Sequence, residues 1–489
     1  MSRVLDAIAA RAPGDIVLRD ARHALCAADL RARIDDLADA LSDLPPGPLG
    51  SRLDNGVDWV LLDLALRRCG RAHVPLPPFF SESQATHALQ SALALALALP
   101  AGDGRPAWPG CGFALRVLPL AARPVHAGTA IVTYTSGSTG APKGVCLDAG
   151  LPEAVAASLA QAMAPLHVRR HLCLLPLGVL LEAVGGVYAP LLAGGEIALP
   201  SLAELGHGGS SGIDLPRLLA TLQHFRPQSL IAVPQLLQAL VLAAESGARL
   251  PDSLRMVAVG GARVPLSLLG RAEAVGLPVF EGYGLSECAS VVCLNRPGAR
   301  RPGSVGRVLP HTALSLSADG EIRIDGPRFL GYAGDPPPPP GPWATGDLGR
   351  IDQDGFVHVE GRHKAMYITA WGRNVSPEWV ESELTQHPCI AQALAYGEGR
   401  AQAAALLVPR DPAIAPAELE RAVAEVNAGL PDYARIGAVL RADEPFGAAN
   451  GLLTGNGRPR RAAILARYGA ALAACPDSRI VRTPEPQSA

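Results

Sequence analysis

Apolar positions along this chain change their period several times, and each change marks an element. Leu30, Ile34, Leu37 and Leu41 recur at three- and four-residue steps, which puts them on one face of a helix. With the residues ahead of them, the pattern predicts an opening of helix, strand, strand and helix. Short β-branched and apolar runs then alternate with helical stretches, as in Ile131-Val132-Thr133-Tyr134, Leu230-Ile231-Ala232-Val233 and Met256-Val257-Ala258-Val259. Such alternation predicts an α/β fold with parallel sheets. Residues 172–195 are apolar but broken by Pro176, Glu182 and Pro190, which reads as buried core. After about residue 300, alternating runs such as Glu321-Ile322-Arg323-Ile324 predict a small β subdomain. The run Pro336 to Pro340 fits neither a helix nor a sheet centre and predicts a stiff surface loop. A last unit follows Gly361-Arg362, with strands near 391–408 and a helix whose Leu419, Val423, Val426 and Leu430 share a face. The expected organisation is a large N-terminal domain of several subdomains over 1–361, a small mobile α+β C-terminal domain over 362–475, and a loose tail over 476–489.

Composition narrows the class without naming it. At 489 residues the chain is too long for one core. It is 48% hydrophobic and 18% charged, which excludes a disordered chain, and its net charge of −2 gives no pull toward nucleic acid. The apolar run Ala92 to Leu99 is too short to cross a bilayer, and Met1 to Asp6 has no signal-peptide shape, so no integral membrane segment is expected. Nine cysteines are scattered with no CxxC pair, which reads as reduced thiols in a cytoplasm. Lysine is nearly absent: Lys143 and Lys364 are the only two.

Candidate chemistry begins at Tyr134-Thr135-Ser136-Gly137-Ser138-Thr139-Gly140-Ala141-Pro142-Lys143-Gly144. A hydrophobic strand runs into it. Its glycines let backbone N–H groups converge on a phosphate, while hydroxyls and the Lys143 amine add donors and charge. No Gly-Lys-Ser/Thr closes it, so it is not a Walker A loop. Farther on, Tyr283 offers a flat face for a base, Glu287 a hard oxygen for a cation, and Asp347 a carboxylate that can accept from two ribose hydroxyls. Gly260-Gly261-Ala262 follows a strand, and a tight turn explains it nearly as well as a binding role.

The glycine-rich segment resembles the phosphate-loop signature of the adenylate-forming superfamily, which comprises acyl- and aryl-CoA synthetases, luciferases and peptide-synthetase adenylation domains. Glu281-Gly282-Tyr283-Gly284-Leu285-Ser286-Glu287 resembles its adenine and magnesium motif, Trp343-Ala344-Thr345-Gly346-Asp347-Leu348 its ribose motif, and Gly361-Arg362-His363-Lys364 its hinge. The resemblance implies an ATP site built from Thr135, Ser136, Gly137, Ser138, Thr139, Gly140, Gly260, Gly261, Ala262, Gly282, Tyr283, Gly284, Ser286, Asp347 and Arg362. It implies catalytic roles for Lys143, Glu287 and Arg458, a hinge at Lys364, and Mg²⁺ held by Glu287 and Thr135. It also implies a reaction in two halves: a carboxylate attacks the α-phosphorus of ATP, then a thiol takes the acyl group from AMP as the C-terminal domain rotates. The implied partners are a small carboxylic acid, ATP and CoA or an acyl carrier protein.

Two departures stand out. Family members place a lysine where Asn456-Gly457-Arg458 has arginine, and many carry a histidine or aromatic residue near Val179. Arginine keeps the charge on a broader planar fork. The stretch Ile368-Thr369-Ala370-Trp371-Gly372-Arg373-Asn374-Val375 and the segment Asn450 to Thr454 look like long-chain acyl-CoA synthetases. Small apolar residues after Glu287, from Cys288 to Val292, predict a wall for an alkyl chain, or plain core. A fatty acyl-CoA ligase is the leading expectation. A ligase that makes acyl-AMP or loads a carrier protein, and a weakly catalytic binding descendant, remain open beside it.

Overall fold

A computed structural model of the protein describes residues 2–102, 106–118, 125–135, 142–208, 212–363, 365–454, 457–475 and 481–482. The opening is helix, strand, strand, helix: Arg3–Ala9, Ile16–Arg19, Ala24–Cys26 and Ala27–Ser42. Leu30, Ile34, Leu37 and Leu41 are all buried on one face of that second helix, as their spacing requires.

Two large sheets organise the chain up to residue 332. The first has nine strands, of which six run parallel in the order Val279–Tyr283, Met256–Val259, Ser229–Ala232, Arg170–Leu172, Glu196–Ala198 and Ile16–Arg19. The second has seven, with Ile131–Thr135, His73–Pro75, Leu49–Ser51 and Ala96–Pro100 parallel at its centre. Both sheets end in antiparallel strands at each edge. Alternation of strand and helix predicts the parallel centres. The antiparallel edges come from short hairpin-like returns, which leave no helical period to read.

Beyond these lie a four-stranded antiparallel sheet, Ala313–Leu316, Glu321–Asp325, Trp343–Ile351 and Val357–Arg362, and a C-terminal sheet led by Ile390–Tyr396 and Ala403–Pro409. Leu419, Val423 and Leu430 pack into the core of that last unit. Of the tail expected to be loose, Val481–Arg482 is a strand that pairs in parallel with Val439 and Leu440. Two short residues of ladder suffice there because the edge of Ile436–Arg441 offers unpaired backbone groups. Residues 180–192 are helical and buried, and their middle, Ala183–Tyr188, is π-helical, a feature no apolar run announces.

A layer of helices fills the space between the two large sheets, and one core cluster draws residues from both. At its centre is a buried polar chain. Ser51 Oγ lies 2.7 Å from His73 Nε2, and His73 Nδ1 lies 2.8 Å from Asp63 Oδ1. Tyr188 donates its hydroxyl to Asp63 Oδ2 at 2.6 Å, and the Arg67 guanidinium sits 4.7 Å from the centre of the Tyr188 ring. Arg67 also pairs with Glu153 at 3.2 Å, and Glu153 accepts the backbone N–H of Arg3. Burial works to raise the Asp63 carboxyl, but His73, Arg67 and Tyr188 outweigh it and hold it below the ordinary range. Tyr188→Phe removes one donor from a buried carboxylate. It is expected to cost about 1–3 kcal/mol of stability, read as a lower urea midpoint with an unchanged m-value.

Candidate active site

Six strands laid in parallel present alternate residues to each face. On the first sheet Leu230, Ala232 and Val257 point into a helix-covered core. The opposite face carries His171, Ser229, Ile231, Met256 and Ala258, and these, together with Glu281 and Tyr283 at the end of the neighbouring strand, line a cavity of about 3400 Å³. Pockets for one small ligand run to roughly 300–1,000 Å³, so this space can take several bound groups. Every described residue that the motifs single out lines it: Thr135, Lys143, Gly260, Gly261, Ala262, Gly282, Tyr283, Gly284, Ser286, Glu287, Asp347, Arg362 and Arg458. Ser136, Gly137, Ser138, Thr139, Gly140 and Lys364 lie outside the described residues.

Strands Ile131–Thr135 and Lys143–Leu147 are antiparallel, and Thr135 pairs directly with Lys143. The two ends of the glycine-rich segment are thus adjacent at the cavity wall. Beside them is Tyr332, on a short edge strand that pairs with Val145. The Lys143 Nζ sits 5.0 Å from the centre of the Tyr332 ring, and the Tyr332 hydroxyl donates to Glu287 Oε1 at 2.7 Å. One aromatic side chain therefore fixes both the cation and the carboxylate. The carboxylate of Glu287 and the hydroxyl of Thr135 are hard oxygen donors, the chemistry Mg²⁺ takes.

The adenine and ribose motifs meet through side chains. Tyr283 donates its hydroxyl to Asp347 Oδ2 at 2.6 Å, and Arg362 Nε lies 2.7 Å from Asp347 Oδ1. Asp347 and Arg362 are direct partners on adjacent antiparallel strands. Both Asp347 oxygens are thus engaged, and ribose hydroxyls would have to share lone pairs with these donors or displace them. Burial raises the Asp347 carboxyl above its usual range against the pull of Arg362. Gly284 is obligatory, because a Cβ there would fall 1.5 Å from the Ser290 carbonyl oxygen. The chain then passes through two left-handed non-glycine residues, Ala289 (φ 53°) and Ser290 (φ 101°). That turn divides the segment between the two expectations of wall and core. Of Cys288 to Val292 only Ser290 and Val291 line the cavity, and the other three are buried in core.

The C-terminal unit closes the cavity from one side. Arg458 donates through Nη2 to the Gly261 carbonyl at 2.7 Å. Its backbone N–H is held by Thr454 Oγ1 at 3.0 Å. Gln238 Nε2 reaches the Thr385 carbonyl at 3.1 Å, Ser267 donates to Glu383 Oε2 at 3.1 Å, and Arg263 lies over the Trp379 ring at 5.5 Å. Burial lowers the Arg458 pKa, and the like charge of Arg362 adds to that.

Several groups escape motif reading. Tyr332 contacts Glu287 across 45 residues of sequence. Its only signal is an aromatic residue within Gly331-Tyr332-Ala333. Glu281 opens a motif that draws attention to Tyr283 and Glu287 instead. It is buried, its Oε2 has no hydrogen-bond partner among the described residues, and burial pushes its carboxyl up to about 8 despite Arg263. Between about 4.5 and about 8 only the folded state keeps this proton, so folding stability falls as pH rises through that window. Glu281→Gln is neutral at every pH and is expected to flatten that decline, as measured by thermal midpoints from about pH 5 to about pH 8.

A family model for AMP-binding enzymes matches residues 5–328, and a model for the AMP-binding enzyme C-terminal domain matches residues 365–477. The long-chain-fatty-acid–CoA ligase FadD15 of Mycobacterium bovis is 36% identical over 166 residues, 33% of this chain and 28% of that one. The 2-succinylbenzoate–CoA ligase of Bacillus subtilis is 31% identical over 282 residues, 54% of this chain and 55% of that one. These alignments span from about a quarter to about half of the relatives' lengths. Among solved structures, the anthranilate CoA ligase AuaEII in complex with anthranoyl-AMP superposes with a TM-score of 0.79 at 19% identity, covering 96% of this chain and 98% of that one. That likeness establishes the shared fold. The two family models together cover most of the chain, and the chain belongs to the AMP-binding enzyme family.

Proposed function

We propose that this protein activates a carboxylic acid with ATP as the acyl adenylate and then transfers the acyl group to the thiol of CoA. The observation that carries the reading is convergence. Lys143, Glu287, Asp347 and Arg458 come from four separate stretches of chain and line one cavity beside an apolar sheet face.

In the first half-reaction a carboxylate oxygen attacks the α-phosphorus in line and pyrophosphate leaves. Negative charge spreads over the phosphoryl oxygens, so fixed cations and donors lower the barrier most. Lys143 supplies a cation at the mouth of the glycine-rich segment, and the Tyr332 ring limits its wandering. Tyr283 and Asp347 hold the nucleoside end, with Tyr283 locked in orientation by its hydrogen bond to Asp347. Arg458, anchored on the Gly261 carbonyl, would meet both the acid and the bridging phosphate oxygen. Glu287 and Thr135 would hold Mg²⁺, which when bound neutralises phosphate charge. For the second half, the Lys364 region is the expected pivot of the C-terminal unit.

Ile231 and Ala258 on the sheet, facing Leu159 and Met163 on a helix, favour an acid with an extended apolar part. Among the described residues, no helix is long and apolar enough to cross a membrane. Nine scattered cysteines with no CxxC pair suit a reducing cytoplasm.

The reading is tested by ATP–pyrophosphate exchange with a panel of acids, followed by thioester formation with CoA. Acid-dependent exchange is expected, and exchange with no transfer to CoA would replace CoA with another acceptor. Arg458→Ala is expected to lower the exchange kcat by about a hundredfold or more, the usual loss for one transition-state donor. Arg458→Lys is expected to lose about tenfold, because one ammonium cannot both hold the Gly261 carbonyl and reach the reacting oxygens. Tyr332→Phe frees the Glu287 carboxylate. Its expected signature is a several-fold higher Mg²⁺ requirement in the same assay, with kcat recovering at saturating Mg²⁺.

A further inference from the structure

The cavity floor is apolar at Ile231 and Ala258 but turns polar one step along the strand, at Ser229 and His171. These two are direct cross-strand partners, so their side chains share the cavity face. Ser229 Oγ lies 2.8 Å from His171 Nδ1, and His171 Nε2 lies 3.3 Å from Glu182 Oε1. Glu182 is fully buried, and its Oε2 accepts the Leu175 backbone N–H at 3.0 Å. Gly186 makes the arrangement possible, because a Cβ there would fall 2.1 Å from Glu182 Oε1 and 2.9 Å from His171 Nε2. The π-helical turn that carries Gly186 also brings Gly185 against Ile231, where a Cβ would lie 2.7 Å from the isoleucine Cδ1. Cys173 joins the cluster, but burial pushes its thiol up, so it stays protonated and adds no charge.

The order of donors and acceptors follows for a neutral imidazole beside an ionised carboxylate. A carboxylate only accepts, so Nε2 must carry a proton toward Glu182. In the neutral imidazole Nδ1 is then a lone pair, and Ser229 must spend its single hydroxyl hydrogen on it. The Ser229 oxygen is left at the cavity wall with acceptor capacity alone. A plain alkyl chain cannot use that capacity, and an ammonium would bring three donors to one acceptor in a nearly dry place. A hydroxyl fits.

Building on the proposed carboxylate activation, we infer that the acid this site selects bears a hydroxyl, which donates to Ser229 while His171 and Glu182 position the serine. Ser229 pairs with Met256, three residues before the Ala232–Val259 rung that leads into Gly260. The hydroxyl therefore stands on the order of 10 Å along the strand from the nucleotide end of the cavity.

The test is ATP–pyrophosphate exchange on the full chain with three matched series of straight-chain acids: unsubstituted, ending in a hydroxyl, and ending in a methyl ether, which accepts but cannot donate. At one chain length the hydroxy acid is expected to exceed both counterparts in kcat/KM by about tenfold or more, mainly through KM. Ser229→Ala, which deletes one oxygen, is expected to bring the hydroxy acid down to its unsubstituted counterpart. His171→Phe is expected to shrink the same ratio, a quantity that a purely structural loss would leave alone. Exchange that proceeds with no hydroxyl preference at any length, or with the ether matching the hydroxyl, overturns the inference and leaves carboxylate activation standing. A preference that survives Ser229→Ala also overturns it. Exchange with none of the acids overturns carboxylate activation and the inference together.

Discussion

One buried carboxylate ties the two large sheets together through the helical layer between them. Asp63 stands in the helical layer between them and binds His73 of one sheet and, through Tyr188, the helical segment packed on the other. Alone, such a charge would cost far more than a fold can tolerate. With both oxygens satisfied and Arg67 near, it becomes a directional tie that an apolar layer could not supply. Because the sheets cannot slide, the helical segment 180–192 keeps its place over the first sheet. The cavity keeps its roof for the same reason.

The second sheet contributes to the cavity at its edge. Tyr332 is part of an edge strand, an arrangement usually vulnerable to stray pairing. Here its ring and hydroxyl face inward to Lys143 and Glu287. The cation near the glycine-rich segment and the carboxylate near the adenine motif are thus one unit, assembled from two sheets. Arg362 and Asp347, on the small antiparallel sheet, join that unit through Tyr283.

Motif residues were legible because their chemistry is local. Thr135 and Lys143 flank one short segment, Tyr283 and Glu287 share one turn, and Asp347 stands alone in a strand whose flanking pattern announces it. Helix faces such as Leu30 to Leu41 were legible through period alone. The same logic could not reach Tyr332, whose partner lies 45 residues away, or the His171–Ser229 pair, 58 residues apart. Cross-strand neighbours carry no sequence signal until strand order is known. It left Cys288 to Val292 open between the two because small apolar residues suit a pocket wall and a core equally. The left-handed turn at Ala289 and Ser290 decided between them.

The arginine at 458 has a consequence beyond charge. An acyl adenylate is an acylating reagent, and any amine held against it is a nucleophile in waiting. A lysine in that position could capture the acyl group as a stable amide and end the catalyst's life. A guanidinium stays protonated at any physiological pH and offers no lone pair for that attack. Under the proposed function, Arg458 would hold the reactive intermediate with a group that the intermediate cannot acylate, and Lys143 is the only lysine among the described residues lining the cavity.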